Sequence, residues 1–252
     1  PQPAMRYHVG IHRNLDPLYK FPNPRLVKNL VRGLPLRTSA LRTLGGFANV
    51  YAIECFLDEL AEAAGIDPVE FRLRHLDDDR AKACVQALAD SLFKDSKPDN
   101  RGRGIGFAQY TNSKAYSAVG VELEVGDDAA IKLHRAVVSV DAGQVVDPDG
   151  LIMQSEGGFI QAASWALHEE VKFDRDGVTS RDWDGYPILR FDNIPEIETI
   201  LIDRPGDPYL GAGEAVSGPA GAAIANAVYD TTGLRLRRMP FTPEALRAAA
   251  MS

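Results

Sequence analysis

Three glycine-rich segments carry the side chains best suited to chemistry. In Gly211-Ala212-Gly213-Glu214-Ala215-Val216-Ser217-Gly218-Pro219, a carboxylate stands among small residues just before an Ala-rich helical stretch. Glycines at a helix entry let backbone N–H groups approach an anion. A carboxylate desolvated in such a loop becomes a usable general base near neutral pH. The same text also reads as a packed helix entry with a solvated glutamate. In Gln154-Ser155-Glu156-Gly157-Gly158-Phe159, two adjacent glycines fall inside a helical stretch, where each costs about 1 kcal/mol relative to alanine. Such a pair is tolerated where a ligand or another backbone must come close, and Gln154 offers both a donor and an acceptor. A close helix–helix crossing accounts for the glycines equally well. Leu41-Arg42-Thr43-Leu44-Gly45-Gly46-Phe47 again sets Gly-Gly before a helix, with an arginine able to hold a phosphate or carboxylate.

Other chemistry is thinly supported. His8 and His12 are four apart in His-Val-Gly-Ile-His, a poor helix, and in a strand at ~3.3 Å per residue they stand too far apart to chelate one ion. No metal ligand is assigned. The sequence has neither a G-x-S-x-G elbow nor a phosphate-binding Walker loop. Cys55 and Cys84 form no C-x-x-C pair and are too few for an iron–sulfur cluster. Both fall on apolar helix faces and read as buried structural thiols.

The elements that must position these groups follow from periodicity. The first 46 residues are Pro-rich and extended. From Val50 the period is helical, with Ile53, Phe56, Leu57, Leu60, Ala61 and Ala64 as the apolar stripe and Glu54, Asp58, Glu59 and Glu62 largely off it. Gly65 ends that helix. Asp67-Pro68-Val69-Glu70 caps a second helix, and a third begins near Asp78 or Asp79, turning Cys84, Leu88 and Leu92 inward. After the polar stretch from Lys94 to Arg103 the period becomes two. Ile105–Ala108, Tyr116–Val125, Ile131–Val140 and Ile197–Asp203 read as strands, with helices over Pro148–His168 and Gly218–Thr231 and a hairpin centred on 174–177. The expected class is α+β: an extended and helical segment over 1–97, then a mixed sheet with two packed helices over 101–252.

Two hundred and fifty-two residues with 45% apolar and 25% charged side chains suffice for a substantial core. A formal net charge of −7 argues against nucleic acid or an anionic membrane as principal partner. No stretch reads as a membrane span or a signal segment, and localisation is left open.

The three segments occur in an order shared with one family. The chain resembles the C-terminal half of the molybdopterin-binding large subunit of the xanthine dehydrogenase and aldehyde oxidase family, in the branch containing isoquinoline 1-oxidoreductase and nicotinate dehydrogenase. The resemblance rests on Leu41-Arg42-Thr43-Leu44-Gly45-Gly46, Ala52-Ile53-Glu54, Asp58-Glu59-Leu60 and Asp67-Pro68-Val69-Glu70-Phe71-Arg72. Further on it rests on Gly102-Arg103-Gly104-Ile105, Val140-Asp141-Ala142-Gly143-Gln144, Gln154-Ser155-Glu156-Gly157-Gly158 and Gly213-Glu214. It implies an oxidoreductase component acting on an N-heteroaromatic compound or an aldehyde, with molybdenum and molybdopterin in the cytosine dinucleotide form. Glu214 matches the base beside the molybdenum. Gln154, Gly157 and Gly158 match the pterin-contacting segment, Arg42 an arginine at the cofactor, Gly45, Gly46 and Gly213 backbone bordering it, and Leu44 a substrate-pocket position that is aromatic in xanthine-oxidising relatives.

The sequence departs from the family pattern in lacking the Gly-Gln-Gly stretch near the oxo ligand. The resemblance therefore implies a complementary molybdopterin-binding chain or missing half, a separate iron–sulfur subunit and dependence on both for activity. The alternative is a structural or assembly half that binds no cofactor.

Overall fold

A computed structural model describes residues 10–29, 31, 33–36 and 38–251. Helices α1 (Gly46–Ala64), α2 (Pro68–His75) and α3 (Asp79–Leu92) come first. The Asp67 carboxylate accepts from the N–H groups of Val69 and Glu70 at the start of α2, and Asp78 caps α3 in the same way. Gly65, at φ 65°, closes α1. The stripe expected on α1 is corrected in one respect. Glu54 and Asp58 face inward, whereas Phe56 is 56% exposed. Glu54 is buried because it is fully partnered: it accepts from Arg72 Nε at 2.9 Å, Tyr19 Oη at 2.7 Å and the Phe107 N–H at 2.9 Å.

Strands β1 (Arg101–Gln109), β2 (Tyr116–Val125) and β3 (Ile131–Asp141) form an antiparallel meander. Helix α4 (Pro148–Leu167) and a short hairpin, β4 (Phe173–Asp174) and β5 (Gly177–Val178), then carry the chain to β6 (Glu196–Leu201). β6 lies parallel to β3, which completes a mixed sheet of order β1-β2-β3-β6; a parallel pairing needs such a crossover. Helix α5 (Ser217–Thr232) ends at Gly233 with φ 71°. A final helix, α6 (Pro243–Ala250), was not foreseen, although Thr242 caps it and Pro243 opens it.

Helix α3 covers one sheet face, packing on β2 and β3 across the turn near residue 100. Its Cys84 is buried and donates to the Ser139 carbonyl at 3.1 Å; Cys55 is buried too. Burial pushes both thiols up to about 12, so neither is a nucleophile at neutral pH. Helices α4 and α5 cover the other face. Glycines alternate along β1, and a Cβ on Gly102, Gly104 or Gly106 would stand 2.1, 2.2 or 2.5 Å from the nearest backbone atom of α5. The Ala- and Gly-rich α5 thus rests directly on the strand backbone, which fixes the height of the loop that precedes it. Among the described residues no helix is long and apolar enough to cross a membrane.

Candidate active site

The three glycine-rich segments, separate in sequence, meet at Arg42. Its Nε donates to the Gly213 carbonyl at 2.7 Å, and one Nη donates to the backbone and side-chain oxygens of Gln154 at 3.1 and 3.0 Å. The other Nη reaches Gln161 Oε1 at 3.4 Å. A guanidinium is suited to this role because its planar fork donates in several fixed directions at once. Burial draws the Arg42 guanidinium down from its usual value, and the charge of Glu214 opposes this.

Glu214 is half-buried rather than sealed. Its Oε1 accepts from the Thr43 N–H at 2.9 Å, a bond made possible by the unusual backbone of its partner. Thr43 and Leu44 both hold left-handed conformations, φ 70° and 52°, which threonine and leucine rarely adopt. Two contacts enforce the turn. The Gly46 N–H donates back to the Thr43 carbonyl, and the Gly45 N–H donates to the Gly10 carbonyl. A Cβ on Gly45 would lie 2.2 Å from that Gly10 oxygen, so Gly45 serves close approach of the chain to itself. Leu44 is half-buried over Gly10.

The two glycines of α4 divide the work. A Cβ on Gly158 would stand 3.4 Å from Ser217 Oγ and 3.5 Å from Arg42 Nη2, so this position serves the α4–α5 crossing. The Ser217 hydroxyl in turn donates to the Gly158 carbonyl at 3.0 Å. A Cβ on Gly157 would meet nothing within 4 Å. Gln154, Gly157 and Gln161 are all exposed on one uncharged face of α4. Gly213 lies beside it, 3.7 Å from Gln154 Oε1 by the same measure.

Several residues that sequence reasoning missed adjoin this site. Tyr110, at the turn between β1 and β2, is 7% exposed, and its hydroxyl faces the Glu214 carboxylate without closing a hydrogen bond of ordinary geometry. Burial and then the nearby Glu214 carboxylate push that hydroxyl up to about 12, with the charge of Arg13 opposing. The Nε of Arg13 is buried without a partner among the described residues. Asn14 knits the area together. It donates to the Gln109 carbonyl at 2.7 Å and accepts from the Thr111 N–H at 3.0 Å. Of the six non-glycine residues with positive φ among the described residues, five gather here: Asn14, Thr43, Leu44, Thr111 and Asn112. Strained backbone of this kind concentrates at functional sites.

A cavity of about 580 Å³ lies elsewhere, between the end of α1 and the end of α5, and none of the expected site residues lines it. Five of its seven charged side chains pair with one another: Arg235 with Asp58 and Glu62, and Lys97 with Asp230.

With the geometry in place, comparison with known proteins is informative. The chain matches the molybdopterin cofactor-binding domain family over residues 43–195, and a second model of the same description over 4–76. It is 38% identical to a nicotinate dehydrogenase subunit of Pseudomonas putida over 99% of its length, which is 22% of that protein. It is 32% identical to the beta subunit of isoquinoline 1-oxidoreductase of Brevundimonas diminuta, covering 81% of this chain and 26% of the relative. The chain thus spans about a quarter of the curated relatives it matches. Among solved structures, quinoline 2-oxidoreductase from Pseudomonas putida 86 superposes with a TM-score of 0.75 at 12% identity, over 84% of this chain and 53% of that one. The fold is therefore that of these proteins. The chain belongs to the molybdopterin-binding subunits of the xanthine dehydrogenase and aldehyde oxidase family.

Proposed function

We propose that the chain supplies part of the molybdenum site of a hydroxylase acting on an N-heteroaromatic compound or an aldehyde, with Glu214 as general base. The convergence of Gly213, Gln154 and Glu214 around Arg42 carries this reading. The donor set fits a flat, uncharged heterocycle such as the pterin ring. Gln154 and Gln161 present amides on the exposed face of α4, and the open space over Gly157 is one that a side chain would fill. When bound, the molybdenum cofactor would supply the electron-accepting centre for oxidation of the substrate. The chain's own residues do the rest. Arg42 locks Gln154 against the Gly213 loop, and Gly157 leaves room for the pterin. Thr43 pins Glu214 by Oε1, which leaves Oε2 to take the proton. Leu44, Gly45 and Gly46 form the wall on the substrate side.

The relatives' names, nicotinate dehydrogenase and isoquinoline 1-oxidoreductase, favour an N-heteroaromatic substrate. The cofactor is proposed in its cytosine dinucleotide form. It is shared with a complementary molybdopterin-binding chain, and the iron–sulfur clusters are carried on a further subunit. Purification of the chain with the proteins it assembles with, followed by metal and pterin-nucleotide analysis, tests this. Molybdenum and a cytosine nucleotide are expected. Glu214→Gln should lower turnover by about 10²–10⁴-fold while metal content is kept. Unchanged turnover would remove Glu214 from the mechanism.

A further inference from the structure

Among the described residues one hydrogen bond of ordinary geometry fixes the Glu214 carboxylate, from the Thr43 N–H to Oε1 at 2.9 Å. The backbone that carries it is held at three places. The carbonyls of Gly211, Gly213 and Ala215 accept from the Ala115 N–H at 3.1 Å, Arg42 Nε at 2.7 Å and Ser117 Oγ at 2.8 Å. A single bond still lets a carboxylate turn about the bonded oxygen. The group that faces it there is Tyr110.

Tyr110 is tied to the Glu214 loop through one residue. Its N–H donates to the Ala115 carbonyl at 3.0 Å, and the Ala115 N–H donates onward to Gly211. The left-handed pair Thr111 and Asn112 turns the chain back, so that the Lys114 N–H closes on the Tyr110 carbonyl at 2.9 Å. On the other side, a Cβ on Gly46 would stand 3.6 Å from the Tyr110 ring edge and 3.8 Å from Thr43 Cβ. The tyrosine and the threonine that address Glu214 thus flank one point. The hydroxyl itself is buried, and among the described residues no group other than Glu214 is set to accept from it.

Burying a hydroxyl is costly unless it serves an acceptor, and phenylalanine would fill the same space without it. Burial and the Glu214 carboxylate push this hydroxyl up to about 12, so it stays protonated and remains a donor throughout the neutral range. Donation to a carboxylate favours its ionised form, the form that accepts a proton. The permanent charges facing the pair are Arg42, toward Glu214, and Arg13, toward Tyr110; neither titrates near neutral pH.

We infer that Tyr110 is a positioning residue for Glu214, its hydroxyl acting with the Thr43 N–H to hold the carboxylate in one orientation while it takes the proton. This rests on the proposed reading of Glu214 as the base and adds what aims it.

The test uses the assembled enzyme. Tyr110→Phe removes one oxygen and should lower kcat about ten-fold with KM little changed. The acid limb of the kcat/KM profile should move up by about one pH unit. A residue that only fills space would leave that limb in place. On a Glu214→Gln background, single-turnover measurement should show no further loss from Tyr110→Phe, because both changes act through one group. A limb that stays put, or a loss that adds in full to that of Glu214→Gln, would overturn the inference. A second readout is independent of turnover. With 3-fluorotyrosine placed at position 110, the fluorine resonance follows ionisation of the phenol, and Glu214→Gln should shift that ionisation to lower pH. An unchanged titration would overturn the pairing. The failures are separable. Full turnover in Glu214→Gln removes the base, and the role of Tyr110 with it. Full turnover in Tyr110→Phe beside an inactive Glu214→Gln removes the role of Tyr110 alone.

Discussion

The Nε of Arg42 donates to the carbonyl of Gly213 at 2.7 Å, joining positions 171 residues apart. Through its remaining nitrogens the same side chain fixes Gln154 on α4. The loop before α1, the exposed face of α4 and the loop before α5 are thereby one unit. Lysine cannot reproduce a forked donor. Arg42→Lys is expected to reduce the molybdenum and pterin content of the purified complex several-fold, read as metal and nucleotide per chain. Full retention would show that the fork is dispensable.

Gly104 and Gly157 should respond to alanine in opposite ways. A methyl on Gly104 would meet the Ala227 nitrogen at 2.2 Å, and overpacking of this kind costs about 1–3 kcal/mol. A methyl on Gly157 meets nothing, and the gain in helix propensity is about 1 kcal/mol. Thermal denaturation should show a lower Tm for Gly104→Ala and an equal or higher Tm for Gly157→Ala. The stable Gly157→Ala protein should nevertheless hold less cofactor.

Glu54 and Arg72 are both fully buried and bonded at 2.9 Å. Removing one partner strands the other, at about 3–5 kcal/mol. Arg72→Met should therefore cost that much in urea denaturation. Replacing both by apolar residues should cost less than the single change. Additive losses would mean that the pairing itself contributes little.

Asp141 gives a pH signature. Burial alone would raise its carboxyl, but the bonds from Arg80, Arg204 and the Gly143 N–H prevail and hold it below its ordinary value. Because the folded value is depressed, its stabilisation is complete above the unfolded carboxylate value, about 4, and is lost as pH falls through the lower folded value. Asp141→Asn should lower stability at neutral pH and flatten the decline below about pH 4. An unchanged acid limb would assign the decline to other carboxylates.

Much of this was legible in the residues. Asp67-Pro68 announced α2, and the switch to a period of two announced β2, whose bounds are Tyr116–Val125 as expected. What failed were inferences from polarity alone. Glu54 reads as solvent-facing until Arg72, Tyr19 and the Phe107 N–H are seen around it, and those partners come from three other segments. Tyr110 and Arg13 escaped notice for a related reason. Each is unremarkable in its own stretch, and only the fold sets Tyr110 beside Glu214 and leaves Arg13 Nε buried. Thr43 carries no residue-type signal for φ 70°; the glycines two and three positions later were the nearest clue. The α6 signal, Thr242-Pro243, was present but short.

The gathering of Asn14, Thr43, Leu44, Thr111 and Asn112 in left-handed backbone has a consequence for how the site meets its ligands. Each such residue stores about 1–3 kcal/mol of strain, and the rest of the fold has already imposed it in this chain alone. The mould is therefore cast before anything enters it. A ligand's affinity is not spent on bending these loops. Relaxing one of these turns, for instance by glycine at Thr43, would make folding easier and recognition looser at the same time.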